Sequence, residues 1–177
     1  YLSDFSCTSL DMSAVTNLPD SLGLTSGNRV VYLPEGVAAA EPNLVVGDVS
    51  SQLVLSPDGG PFRPSRAFQA EKASLTCTVD GGRMLMLPFT ADVPEGVKAY
   101  AVDDDMKAVE LTSIPAHQPV LVLADGDITF EGRGEVSYAV SALSSVLRGV
   151  YVPITIYKGS YQLGTLNGEW GFTRRQT

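Results

Sequence analysis

The chain has 177 residues, 44% of them hydrophobic and 18% charged, with a formal net charge of −8. That length suffices for a well-buried core, while the charged share lies below the roughly 25% of ordinary soluble domains. A nucleic-acid binder needs a basic stripe to displace phosphate counterions, and the only basic pair, Arg174 and Arg175, stands at the extreme end, so composition excludes nucleic acid as a partner. The acidic balance also argues against docking on an anionic membrane. No apolar run approaches the ~18 residues of a spanning helix.

The chain starts at Tyr1, inside an already patterned segment. The expectation is a piece of a longer protein whose export signal lies upstream. In the first part, Leu10-Asp11-Met12-Ser13 followed by Val15 and Leu18-Pro19 has the spacing of a leucine-rich-repeat turn, in which one apolar residue per rung points inward. Only one such rung is visible. Residues 1–55 are therefore expected to form a terminal repeat-like rung or cap with short strands. The stretch 56–66, SPDGGPFRPSR, is the expected boundary, and residues 56–177 the main sheet domain.

Short segments rich in β-branched and aromatic residues, bounded by Gly, Pro, Asp or Asn, predict strands at 29–33, 43–46, 52–55, 73–79, 84–89, 97–102, 108–112, 119–124, 128–131, 136–140, 148–152, 161–166 and 169–173. The 17 glycines and 11 prolines punctuate the chain rather than cluster, as turns between strands do. Asp80-Gly81-Gly82, Asp125-Gly126-Asp127, Gly132-Arg133-Gly134 and Asn167-Gly168 are expected at hairpin turns, because they supply positive φ. Met84-Leu85-Met86-Leu87 is apolar on both faces and predicts a central strand. Lys98 interrupts one face of 97–102 and predicts a strand nearer an edge. Helical spacing is confined to 141–147, a weak signal. The recurrence of Pro-Glu-Gly at 34–36 and 94–96 reads as shared turn chemistry. The fold class that follows is all-β: an antiparallel β-sandwich or partly open barrel with an N-terminal repeat-like remnant.

Two cysteines, Cys7 and Cys77, allow one disulfide. Because Leu75, Cys77 and Val79 alternate onto one strand face, Cys77 is expected instead as a buried free thiol. The single histidine, His117, lies between Pro115 and Pro119. It is expected as an exposed turn residue without a catalytic role, since a general base needs an orienting partner. No nucleophile elbow, phosphate loop or zinc spacing occurs, so no catalytic residue is assigned. Asp103 and Asp105, alternate residues of an acidic run, are the candidate oxygen ligands for Ca²⁺, and the alternative is a solvated hairpin tip. No other cofactor is implied. Trp170, with Tyr157 and Tyr161, is the candidate platform for stacking on a sugar, and its alternative is an ordinary core aromatic.

Several strings stand together in order: SLDMSAVTNLP, NRVVYLPEGV, NLVVGDVSSQLVLSPDGGPFRPSRAFQAEKASLTCTV, MLMLPFTADVPEGVKAYAV, IPAHQPVLVLADGDITFEG and LRGVYVPITIYKGSYQLGTLNGEWGF. Over most of its length the chain thereby resembles the C-terminal β-rich region of secreted and surface proteins of Bacteroidetes-type gut bacteria, which often bear leucine-rich repeats. The resemblance implies an extracellular or cell-surface location, with outer-membrane anchoring through an upstream segment. It implies a non-catalytic structural or spacer role beside a neighbouring module of the same protein. An adhesion or carbohydrate-binding module, meeting host or dietary glycans or a surface protein, is the alternative, and a hydrolase the second alternative. The resemblance carries over no catalytic residue.

Overall fold

Strand β6, Phe68–Asp80, is the longest among the described residues, and the nine-stranded sheet is organised around it. The computed structural model describes residues 7–18, 22, 27–38, 40–105, 107–138, 147, 149 and 151, and the backbone of 161–166 and 169–174. Phe68, Ala70, Ala73, Leu75, Cys77 and Val79 of β6 are buried. Their period-2 spacing is broken once, where Glu71 and Lys72 are both exposed. Along the antiparallel partner β13, Asp125–Val136, Gly132 faces Ala73 and Gly134 faces Ala70, with a register shift between. Two residues of β6 thus oppose one of β13, which is a β-bulge.

Gly132-Arg133-Gly134 is therefore not a hairpin turn, and Asp125-Gly126-Asp127 opens the same strand β13. Glycine is required here for two reasons. A Cβ on Gly132 would run into the carbonyl oxygen of Thr90, and Gly134 adopts φ +113°, a region that residues with a Cβ rarely enter. Asp80-Gly81-Gly82 is likewise not a hairpin turn. Gly81, at φ +69°, carries the chain from β6 of the large sheet into β7, Arg83–Leu85, of a separate four-stranded antiparallel sheet.

The first strands depart from the antiparallel expectation. β1 (Ser9–Asp11), β2 (Val30–Leu33) and β3 (Leu44–Val46) pair side by side in parallel. β4 (Val49–Ser50) and β5 (Leu53–Leu55) pair parallel with β6. The large sheet is mixed, completed beyond β13 by β8 (Thr90–Asp92) and β11 (Ser113–Ile114). All four residues of β2 are buried, because its two faces feed different clusters. Val30 and Tyr32 enter the main core, whereas Val31 and Leu33 pack with Leu22 and Leu44 against Leu10, Met12 and Leu18. Strands covered on both faces read as continuous apolar runs, as VVYL does.

The four-stranded sheet runs β10 (Ala108–Leu111), β9 (Lys98–Val102), β12 (Val120–Leu123), β7. Here the expected positions are reversed: β9 is interior and β7 is at the edge. In β9, Ala99 and Ala101 are buried while Lys98 is exposed, which is the alternation of a sheet with one wet face. At 84–89 the ladder ends at Leu85, and Pro88, which lacks an N–H, cannot resume it. Leu87 and Phe89 then turn into the core, both fully buried.

One core cluster combines Val30, Tyr32, Val45, Leu53 and Leu55 with Phe62, Phe68, Val79, Phe130, Ala99, Val120 and Val122. It draws on both sides of the 56–66 stretch and on both sheets. Cys7 and Cys77 are free, and Cys77 is buried, as its strand face predicted; burial pushes its thiol pKa up. The hairpin of β14 (Tyr161–Leu166) and β15 (Glu169–Arg174) closes with Leu166 opposite Glu169. Of the expected segment 136–140, residues 136–138 are described and Val136 ends β13; 148–152 falls largely, and 141–147 almost wholly, outside the described residues. Among the described residues there is no helix, and none long and apolar enough to cross a membrane.

Candidate functional site

His117 is neither exposed nor idle. Held in the left-handed region at φ +63°, a conformation in which His is enriched among non-glycine residues, its backbone N–H donates to the Leu87 carbonyl at 2.8 Å. Its ring is half-buried. Nδ1 lies 3.0 Å from the hydroxyl of Tyr151 and Nε2 lies 3.1 Å from Oγ of Ser137. The Tyr151 hydroxyl donates to the same Leu87 carbonyl at 2.6 Å.

These distances order the protons. With its only hydrogen on Leu87, Tyr151 must accept from Nδ1–H. The neutral ring then has a lone pair on Nε2, which accepts from the Ser137 hydroxyl. Edge-on contacts of Tyr151 with Phe62 and with His117, at centroid distances of 6.2 and 5.8 Å, fix the ring. The chain Ser137, His117, Tyr151, Leu87 therefore joins the segments around residues 137, 117, 151 and 87.

A serine bonded to Nε2 of a histidine is the geometry of an activated nucleophile, but the third group decides what the pair can do. Burial holds the Tyr151 phenol well above its ordinary pKa, so it stays neutral and supplies no charge to stabilise an imidazolium. Burial also holds His117 below its ordinary value, with the nearby Glu135 carboxylate opposing. The arrangement favours a neutral, fully bonded brace. Sequence reasoning missed it because Ser137 and Tyr151 lie 20 and 34 residues from His117, with no spacing to signal the encounter.

Ser137 also borders an open polar cleft with Thr8, Ser9, Arg63, Ser65 and Tyr138. At its rim Arg66 is held from three sides. Nη1 is 2.7 Å from Asp11, Nε is 3.0 Å from Asp48, and Cζ lies 4.1 Å above the Tyr32 ring. The Tyr32 hydroxyl donates to the Arg66 carbonyl at 2.5 Å, so the N-terminal strands and residue 66 are stapled together. The carboxyl of Asp11 is held below the usual range, first by the Ser13 hydroxyl and amide and then by Arg66.

Two buried asparagines, also unforeseen, shape the same end of the sheet. Asn43, at φ +64°, accepts from the Val54 N–H at 2.7 Å and donates to the Val54 carbonyl at 3.0 Å. Its side chain thus stands in for a strand's backbone. Asn28 donates to the carbonyls of Ser56 and Gly60, both at 2.8 Å, and closes the turn between them.

Asp103 and Asp105 lie together at the tip between β9 and β10. Oδ1 of Asp103 accepts from the backbone N–H of Asp105 and of Lys107, at 3.0 and 2.8 Å, and Asp105 pairs with Lys107 at 3.3 Å. Among the described residues no three His, Cys, Asp or Glu side chains gather as a metal site. Tyr161 stands opposite Arg174 and Trp170 opposite Thr165 in the last hairpin, and Tyr157 lies outside the described residues. Comparison of the chain with protein-family models, curated proteins and solved structures gives no match.

Proposed function

We propose that the chain is a non-catalytic structural domain of an exported bacterial surface protein, a β-sandwich with an N-terminal repeat-like remnant that holds a neighbouring module outside the cell. The observation that carries this reading is the bonding of His117. The only histidine in the sequence has both ring nitrogens committed to a chain that ends on a backbone carbonyl, a use that braces loops. The parallel stacking of β1, β2 and β3 favours the repeat-like remnant, since stacked repeats pair successive strands in parallel. The surface location rests on the resemblance read from the ordered strings of the sequence, and on nothing else.

The test is chemical. Incubation with a fluorophosphonate and with p-nitrophenyl esters is expected to leave Ser137 unlabelled and the esters intact. Stoichiometric labelling of Ser137 that disappears in H117N overturns the proposal in favour of a hydrolase. A second reading, a carbohydrate-binding or adhesion module, is favoured by one observation, the hydroxyl-lined cleft beside Ser137. A glycan and host-protein array on the intact chain separates it from the structural reading.

A further inference from the structure

The cleft bordered by Thr8, Ser9, Arg63, Ser65, Ser137 and Tyr138, with Arg66 at its rim, combines hydroxyls with two cations that differ in their surroundings. Arg63 is exposed, and its guanidinium carbon lies 5.2 Å from the centroid of the Tyr138 ring. Among the described residues no carboxylate pairs with it, whereas the neighbouring Arg66 has two, Asp11 and Asp48. Among the described residues only Arg63 and Arg66 lie over an aromatic ring, and of these two Arg66 alone has its charge met by carboxylates. The aromatic contact limits the positions the side chain can take, which lowers the entropy cost of using its fork of N–H donors.

The hydroxyls around it are ordered by bonds that leave complementary capacity free. Ser9 Oγ accepts from the Ser65 N–H at 3.2 Å, so its own hydrogen remains available. Thr8 donates to the Arg63 carbonyl at 3.2 Å, and Ser137 donates to His117; both oxygens keep lone pairs. A ligand must therefore bring an anionic group for Arg63 and several hydroxyls that both donate and accept. The planar fork of a single arginine matches a carboxylate in a two-point contact. A dianionic phosphate is a poorer fit, because Asp11 and Asp48 neutralise the second arginine.

We infer that this cleft binds a carboxylated saccharide, with Arg63 on the carboxylate and Ser9, Thr8 and Ser137 on the ring hydroxyls. The inference rests on the carbohydrate-binding reading above and names its ligand class. Titration calorimetry of the intact chain with tetragalacturonate, its methyl ester and maltotetraose tests it. Tetragalacturonate is expected to bind, and Arg63→Gln to weaken it about tenfold or more, as loss of a charge-assisted contact does. The methyl ester is expected to bind as weakly as the variant does, and Ser9→Ala to cost a smaller factor. Arg63→Gln should melt like the parent, since the Arg63 carbonyl that holds Thr8 is unchanged. Equal binding of acid and ester, or tetragalacturonate binding indifferent to Arg63→Gln, overturns the inference. Maltotetraose bound equally by parent and variant, with no tetragalacturonate binding, overturns it while leaving the carbohydrate-binding reading in place. No binding of any of the three, together with a blank glycan array, removes both.

Discussion

Replacing Tyr151 by Phe removes a single oxygen and tests whether the His117 chain braces the fold. The ring stays, so its edge contact with Phe62 at 6.2 Å is kept and no cavity opens. Two hydrogen bonds are lost, the 2.6 Å donation to Leu87 and the 3.0 Å acceptance from His117. The Leu87 carbonyl keeps the His117 amide at 2.8 Å, so the group left without a partner is Nδ1–H of a half-buried ring. At ~0.5–1.5 kcal/mol net per bond, the loss is about 1–3 kcal/mol. For a chain of this size that lowers Tm by about 2–12 °C. Urea unfolding followed by tryptophan fluorescence should show the midpoint falling with the slope unchanged. A double-mutant cycle with His117→Asn, a residue that tolerates positive φ, should give a coupling of about 1 kcal/mol. A stability change within about 0.3 kcal/mol and no coupling would refute the brace, and with it the observation that carries the structural reading.

The other expectations follow from the same geometry. Burial favours the neutral His117 ring, so its folded pKa lies below the ordinary 6.5; the unfolded chain binds the extra proton as pH falls through that value, and stability present above it is lost on acidification. Comparing urea midpoints at pH 7.5 and 5, His117→Asn should show a shallower loss than the parent, and an identical slope would contradict this. Gly132→Ala drives a Cβ into the Thr90 carbonyl between two paired strands, and should cost about 3 kcal/mol in chemical denaturation; an unperturbed midpoint would mean that the strands separate freely there. Because Asp103 is bonded to its own loop and Asp105 to Lys107, millimolar Ca²⁺ should leave Tm unchanged, and a rise of several degrees would restore these carboxylates as ligands.

Much of the strand content was legible, and so was the burial of Cys77, because period-2 alternation of apolar residues is a local property that needs no knowledge of partners. The division of β6 and β13 into shorter pieces shows the limit. Glu71-Lys72 breaks the alternation and Gly132-Arg133-Gly134 carries turn chemistry, yet together they are the two sides of one bulge. Each half looks like an end of a strand until the other is opposite it. The edge position of β7 was hidden for a related reason: apolarity on both faces at 84–89 records the descent of Leu87 and Phe89 into the core, not a covered strand. In the candidate site, the rarity of His117 was visible and its partners were not.

The sequence by itself determined that this is a strand-built chain of acidic balance without a basic stripe for nucleic acid. Its tertiary structure alone decided which strands run parallel, since β1, β2 and β3 meet through pairings that skip 13 to 21 residues. It also decided that a lone histidine would meet Ser137 and Tyr151 and that Arg63 would stand beside a row of hydroxyls. Alternation and turn chemistry act between neighbours in the chain, whereas those encounters depend on which distant segments the core draws together.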